Sequence, residues 1–217
     1  MFILICLDRD GVINKDENYY LGSSPDWKKQ VEILPGVAEG IRKLNSVSNL
    51  EVFILTNQSG IALTDFPLLT EERAQEVNDY IIRLLQAQGA RIRGGFICPF
   101  LDERYSAIER KAGHVINMEY FRKNPEDLKP RTGMIKKSAA VLGKSLEECR
   151  VFFIGDRASD VQTGLNANGY GILIPGFKTF ELADLEKVKA MKRKKGERVY
   201  IAGDFLDAGN YVLSNKS

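Results

Sequence analysis

The chain has 217 residues, of which 44% are hydrophobic and 28% are charged, as is typical of a soluble globular protein. Its 31 basic and 29 acidic residues leave a net charge of +2, so bulk charge does not indicate a nucleic-acid-binding protein. No apolar run reaches the roughly 20 residues of a membrane span, and the apolar start lacks the basic leader of a secretory signal. Three scattered cysteines, Cys6, Cys98 and Cys149, predict a reduced, cytoplasmic protein without disulfides.

Apolar runs alternate with segments of helical periodicity along the chain. The predicted strands cover residues 2–6, 52–55, 95–98, 151–154, 172–174 and 199–202. The predicted helices cover residues 35–44, 70–89, 132–142 and 181–195, with a short helix after residue 204. This alternation predicts an α/β fold in which helices cover both faces of a mostly parallel sheet. We expect a single domain over residues 1–217, with a flap loop at 15–30 and an irregular insertion at 100–127.

Polar side chains follow the predicted strands at the points where the strands end. Asp8 and Asp10 follow the first strand, the run 56–60 (Thr-Asn-Gln-Ser-Gly) follows the second, and Asp156 follows the fourth. In an open parallel sheet, binding sites form beyond the carboxyl ends of the strands. Two carboxylates that lie two residues apart in extended chain also point to the same side. The sequence therefore predicts one site for a divalent cation and a phosphorylated ligand.

Four motifs occur in a fixed order along the chain. They are DRDG at 8–11, TNQSG at 56–60, KPRTGM at 129–134 and GDRASD at 155–160. Together they resemble the motifs of the haloacid dehalogenase (HAD) superfamily of phosphohydrolases, and their form is similar to that of the heptose-bisphosphate and histidinol-phosphate phosphatases. The resemblance implies a HAD-like Rossmannoid fold, a three-layer α/β/α sandwich with a mostly parallel sheet and no large cap domain.

The resemblance also implies a mechanism, which is Mg²⁺-dependent hydrolysis of a phosphomonoester through an aspartyl-phosphate. Asp8 is expected to be the nucleophile, and Asp10 is expected to protonate the leaving oxygen and then to activate water. Thr56 and Lys129 are expected to stabilise the phosphoryl group during transfer.

The expected ligand sets extend these catalytic residues. The expected metal ligands are Asp8, Asp10 and Asp156, with Asp160 supporting the site from behind. The expected substrate contacts are Asp16, Glu17, Asn18, Tyr19, Asn57, Gln58, Ser59, Lys129 and Arg131. The first four belong to the flap loop, which leaves the catalytic strand and must pass beside the substrate.

A zinc loop of the resembling phosphatases is not preserved in this chain. That loop begins with Cys-Pro-x-His and closes with Cys-x-Cys, whereas here Cys98-Pro99 is followed by Phe100-Leu101 and residues 125–127 are Pro-Glu-Asp. Structural zinc normally takes four ligands, so we predict no zinc, and the single histidine, His114, is expected to have a surface or packing role.

One substrate-binding arginine of the resembling family is replaced here by Leu128. The candidates for a substitute cation are Arg122, Lys123 and Arg131.

The expected substrate is a small phosphorylated metabolite, with a sugar phosphate or bisphosphate first. A polynucleotide 3′-phosphatase is the first alternative, and it predicts DNA-stimulated activity and salt-sensitive binding of single strands. A catalytically weak HAD-like binding module is the second alternative. We expect no membrane or nucleic-acid partner, and we expect a monomer.

Overall fold

A computed structural model describes residues 1–15, 20–176 and 179–216, with the side chains of 179–181 outside the description. The predicted substrate contacts Asp16, Glu17, Asn18 and Tyr19 therefore lie outside the described residues. Within the described chain, no helix is both long enough and apolar enough to cross a membrane.

Six parallel strands form one sheet in the order β3-β2-β1-β4-β5-β6. The strands are β1 (Phe2–Leu7), β2 (Leu50–Asn57), β3 (Gly94–Cys98), β4 (Cys149–Gly155), β5 (Tyr170–Leu173) and β6 (Val199–Ile201). The α/β prediction and its six strands are confirmed, because continuous apolar runs are what strands buried on both faces require.

Helices cover both faces of this sheet. They are α1 (Val37–Asn45), α2 (Glu71–Ala87), α3 (Glu103–Lys111), α4 (Gly133–Val141), α5 (Ala158–Asn166), α6 (Thr179–Lys195) and α7 (Phe205–Ser214). Successive residues of β1 point to opposite faces: Ile5 and Leu7 join a core shared with α1, α2 and α7, and Leu4 and Cys6 join a core shared with α4. A third cluster packs α5 and α6 against β5 and β6.

The order of the strands reverses at β1, which pairs with β2 on one side and β4 on the other. The last residue of β1, Leu7, is in register with Ile54 of β2 and Ile154 of β4. The backbone N–H of Asp8 then donates to the Ile154 carbonyl at 2.9 Å. Open α/β sheets bind ligands at such a reversal, so the fold places Asp8 at the favoured position.

The segment 100–127, expected to be irregular, contains helix α3, and that expectation needs correction. Asp102 caps the helix by accepting from the Tyr105 backbone N–H at 3.0 Å. The buried side chains of α3 are Ser106 and Glu109, which are polar. The sequence therefore lacks the apolar stripe that normally indicates a helix packed on a protein surface.

Candidate active site

An ion-pair network joins the end of β1 and the first turn of α5 to the loop that precedes α4. The Lys129 Nζ atom lies 2.9 Å from Asp8 Oδ1 and 2.7 Å from Asp160 Oδ1. Both the Lys129 and Asp160 side chains are almost fully buried, so solvent screens these contacts weakly. Lys129 therefore acts as a fixed positive charge beside the predicted nucleophile.

The three acids Asp8, Asp156 and Asp160 converge on one point. Each offers a carboxylate oxygen within 4.8 Å of the other two, and all three residues are buried. Asp156 Oδ1 is a buried oxygen with no hydrogen-bond donor among the residues that the structure describes. A buried carboxylate oxygen without a partner is costly, and a hard cation with oxygen ligands would satisfy it.

Burial and mutual repulsion alter the titration of this cluster. Burial, followed by the charges of Asp8 and Asp160, holds the pKa of Asp156 well above its usual value. Burial likewise raises the pKa of Asp160 to about 6, against the lowering effect of Lys129. Burial opposes the charge on Lys129, but Asp160 and Asp8 raise the pKa of its ammonium above the ordinary value. The Lys129 ammonium stays cationic at neutral pH. An added positive charge would stabilise the ionised forms of the three acids.

Two glycines allow this close approach. Gly11 has a φ of +83°, and a Cβ atom there would lie 2.5 Å from Asp156 Oδ2. A Cβ atom on Gly155 would lie 2.2 Å from the Cβ of Asp160. Neither position has room for a side chain, so both glycines are needed to bring the acidic side chains together.

Asp10 is held by two neighbouring side chains. Arg9, which is fully buried, donates from Nη2 to Asp10 Oδ2 at 2.7 Å and from Nε to Asp10 Oδ1 at 3.1 Å. The Gln58 amide donates to Asp10 Oδ2 at 3.1 Å and to Thr56 Oγ1 at 2.9 Å. The predicted acid–base residue and the loop after β2 are thus joined directly.

The end of β2 and the loop that follows it also contact Lys129 and the insertion. Asn57 Oδ1 accepts from the Lys129 backbone N–H at 3.2 Å. Ser59 Oγ donates to Glu109 Oε1 at 3.2 Å, and the Tyr20 hydroxyl donates to Glu109 Oε2 at 3.3 Å. Glu109 therefore connects α3 to the rim of the site.

Two of the cations proposed as substitutes at Leu128, Arg131 and Arg122, have other contacts. The Leu128 side chain is buried in the apolar cluster below α4. Arg131 lies 3.6 Å from Asp102 and donates to Asn124 Oδ1 at 3.2 Å, and Arg122 lies over the ring of Phe100 at 4.7 Å. Arg131 is thereby connected to the first turn of α3, close to the rim.

The former zinc-loop positions are occupied by ordinary packing. The Cys98 thiol is buried and donates to the Phe100 carbonyl, and Asp127 pairs with Lys137. The His114 ring packs at 5.7 Å from Phe66.

The structure brings most of the predicted site residues together at one edge of the sheet. They are Asp8, Asp10, Thr56, Asn57, Gln58, Lys129, Asp156 and Asp160. Ser59 and Arg131 lie at the rim of this group, and the roles given to all ten residues stay predictions. Sequence reasoning missed Arg9, Asn78 and Glu109. Asn78 interrupts the apolar stripe of α2, which is a signal of a buried polar contact, but nothing in the sequence indicated its partner.

The chain is similar to HAD-like hydrolases and to heptose-bisphosphate phosphatases. A family model described as HAD-hydrolase-like matches residues 128–208. The chain is 34% identical over 180 residues to the D-glycero-beta-D-manno-heptose-1,7-bisphosphate 7-phosphatase of Rhodopseudomonas palustris, covering 83% of this chain and 84% of that protein. It is 29% identical over 175 residues to a phosphatase of the same name from Pseudomonas putida, covering 79% and 81% of the two chains.

A solved structure also has the same fold. It is D,D-heptose 1,7-bisphosphate phosphatase from B. bronchiseptica, complexed with magnesium and phosphate. Its TM-score is 0.68 at 23% identity, and the match covers 99% of each chain.

Proposed function

The chain belongs to the HAD superfamily of phosphatases, in the family of the heptose-bisphosphate phosphatases, and from this premise we propose that Asp8 dephosphorylates a small sugar phosphate or bisphosphate. The observation that supports the proposal best is the buried cluster of Asp8, Lys129, Asp156 and Asp160 at the reversal of the strand order. Phosphoryl transfer to a carboxylate uses a nucleophile and nearby positive charge, and this cluster offers Asp8, the Lys129 ammonium and a carboxylate oxygen of Asp156 that could bind a metal ion.

The first step forms a covalent intermediate on Asp8. A carboxylate oxygen of Asp8 attacks phosphorus, and the bond from phosphorus to the leaving oxygen breaks. Asp10 gives its proton to that oxygen, which leaves as an alcohol. Lys129, at 2.9 Å from Asp8 Oδ1, offsets the negative charge that gathers as the phosphoryl group approaches the carboxylate.

The second step restores the enzyme. Asp10 takes a proton from water, and the water oxygen attacks phosphorus as the bond to Asp8 breaks. Thr56 and Asn57, at the end of β2, lie on the same rim and offer polar groups to the phosphoryl oxygens. Phosphate then leaves, with Asp8 again a carboxylate and Asp10 again protonated for the next cycle.

The residues fit Mg²⁺. Asp8, Asp156 and the backbone carbonyl of Asp10 would hold it, with Asp160 behind them, and a bound Mg²⁺ would neutralise charge on the phosphoryl oxygens. Hard oxygen donors make up this set, and the unpartnered Asp156 Oδ1 is the observation that supports it.

We propose a cytoplasmic, monomeric enzyme with one catalytic domain. The buried free thiols of Cys6, Cys98 and Cys149 support a reducing compartment.

The test is Mg²⁺-dependent phosphate release across a panel of phosphomonoesters. The panel contains sugar monophosphates and bisphosphates, histidinol phosphate, nucleotides and a 3′-phosphorylated oligonucleotide. We expect one sugar phosphate or bisphosphate to be turned over far faster than the rest. Preference for the oligonucleotide, with stimulation by DNA, would instead support the polynucleotide 3′-phosphatase. No release from any member by folded protein would overturn the proposal.

A further inference from the structure

A fully buried arginine, Arg9, lies between the two proposed catalytic carboxylates in sequence: its backbone N–H donates to Asp8 Oδ1 at 2.8 Å, and its side chain contacts Asp10. We infer that Arg9 is a positioning residue, which fixes the Asp10 carboxylate so that its Oδ1 atom carries the transferred proton. The inference rests on the proposed function, because it concerns the acid–base residue of that reaction.

The hydrogen bonds divide the two oxygens of Asp10 unequally. Oδ2 accepts from Arg9 Nη2 at 2.7 Å, from Arg9 Nε at 3.2 Å and from Gln58 Nε2 at 3.1 Å. Oδ1 accepts from Arg9 Nε alone, at 3.1 Å, among the donors that the structure describes. Side-chain donors therefore occupy Oδ2, and Oδ1 is the oxygen left to exchange a proton with the leaving group or water.

The remote end of Arg9 is fixed to the scaffold. Its Nη1 atom donates to Asn78 Oδ1 at 3.2 Å, and Asn78 is fully buried in helix α2. The guanidinium is bonded to Asn78 on one side and to Asp10 on the other, so it has little freedom to rotate. Because it is planar and donates two parallel hydrogen bonds, it also fixes the orientation of the Asp10 carboxylate.

Stability alone accounts poorly for this arrangement. Burying an arginine and an acid as a pair costs desolvation that the pairing barely offsets, so an apolar side chain of similar volume would hold the fold as well. The pair instead exposes one face of Asp10, whose side chain is 24% exposed while that of Arg9 is fully buried. We expect this geometry for a side chain that is fixed by buried partners on one side and contacts the substrate on the other.

The test compares esters whose leaving oxygens differ in their need for a proton. Phenyl phosphate has a poor leaving group and needs general-acid assistance, whereas 4-nitrophenyl phosphate needs little. We expect Arg9→Met to lower kcat/KM about 100-fold for phenyl phosphate and less than about 10-fold for 4-nitrophenyl phosphate. Arg9→Lys keeps the charge without the planar fork, and we expect it to recover only part of the loss.

Asn78→Ala perturbs the same arginine from the scaffold side. We expect a smaller loss than in Arg9→Met, about 5-fold for phenyl phosphate, with the same dependence on the leaving group. Val77→Ala, on the same helix, is the control, because it removes core packing without removing a hydrogen-bonding group. If Arg9→Met does not fold, Asn78→Ala decides the question.

The outcomes separate this inference from the proposed function. A wild-type protein that releases no phosphate contradicts both. A wild-type protein with Mg²⁺-dependent activity, whose Arg9 and Asn78 variants lose equal factors on both esters, overturns the positioning role alone. A loss confined to the poor leaving group, in both variants and absent from Val77→Ala, supports it.

Discussion

The charged residues at the carboxyl ends of the strands, here called the rim, and the insertion at 100–127 meet at Ser59. Different interactions hold these two regions in place. The rim is a network of buried charges, in which Lys129 contacts Asp8 and Asp160 and Arg9 contacts Asp10. The insertion is fixed by apolar packing, with Leu101 fully buried among aromatic side chains, and by polar contacts such as those of Glu109 with Ser59 and of Asp102 with Arg131. Ion pairs between buried side chains therefore fix the positions of the rim residues, whereas apolar packing mainly fixes the insertion.

The largest effect is expected at Asp8, the proposed nucleophile. Asp8→Asn keeps the size of the side chain but removes the attacking oxygen anion, so kcat should fall by roughly 10⁴-fold or more. Steady-state phosphate release with the preferred substrate measures the loss, and circular dichroism checks the fold. Turnover at the wild-type rate would show that Asp8 is not the nucleophile.

The next effect is expected at the buried cation of the rim. Lys129→Met leaves Asp8 and Asp160 facing each other without a counter-charge, which should lower the free energy of unfolding by roughly 3–5 kcal/mol. Urea denaturation monitored by fluorescence measures the change.

The matched control is Lys137→Met, because Lys137 pairs with Asp127 and its side chain is 52% exposed. We expect that control to cost less than about 1 kcal/mol. Equal losses of unfolding free energy in the two variants would show that the buried ion pairs of Lys129 stabilise the fold no more than an exposed ion pair does.

A metal effect on stability should depend on pH. Because burial raises the pKa of Asp160 to about 6, the folded protein without metal holds this proton more tightly than the unfolded chain does. The contribution of this group to stability is therefore present at low pH and is lost as pH rises through about 4 to 6. Mg²⁺ competes with protons for the cluster, so saturating Mg²⁺ should raise Tm more at about pH 7 than at about pH 5.

Thermal unfolding with and without Mg²⁺ at the two pH values measures this difference. Asp156→Asn removes a charged oxygen from the cluster and should abolish most of the shift. A shift that is the same at both pH values, or that survives in Asp156→Asn, would contradict the assignment of the metal site.

The smallest effect is expected in the insertion. Glu109→Gln keeps the shape of the side chain but weakens its acceptance from Ser59 and Tyr20. We expect KM to rise by up to about 10-fold, or about 1.4 kcal/mol, with kcat almost unchanged, because the proposed chemical step takes place at Asp8 and Asp10. Glu103→Gln, at an exposed position of α3, is the control and should leave both constants unchanged. A fall in kcat without a change in KM would place Glu109 among the groups that support the chemical step.

The strands and the helices with apolar stripes could be predicted from the sequence, whereas contacts between distant polar residues could not. The run 151–154 indicates a buried strand by composition alone, and Thr70 indicates the start of α2 by its capping side chain. Helix α3 has a capping residue, Asp102, but its buried side chains are polar, so no apolar stripe indicated a helix there. The site residues of the four motifs were inferred from resemblance and strand ends. Arg9 was overlooked because an arginine beside two acids resembles an exposed ion pair, and only the fold reveals its contact with Asn78.

The central position of β1 has a consequence for synthesis of the protein. β1 is made before any other strand, yet one of its two neighbours, β4, ends only at Gly155. On the ribosome, the backbone edge of β1 that faces β4 must therefore remain unpaired until β4 has emerged. Asp8 and Asp156 cannot meet before that pairing forms, so we expect a nascent chain that still lacks β4 to have no phosphatase activity. A premature stop before residue 149 would leave the backbone N–H and C=O groups on one edge of the apolar strand β1 unpaired. We expect such a fragment to aggregate and to bind chaperones.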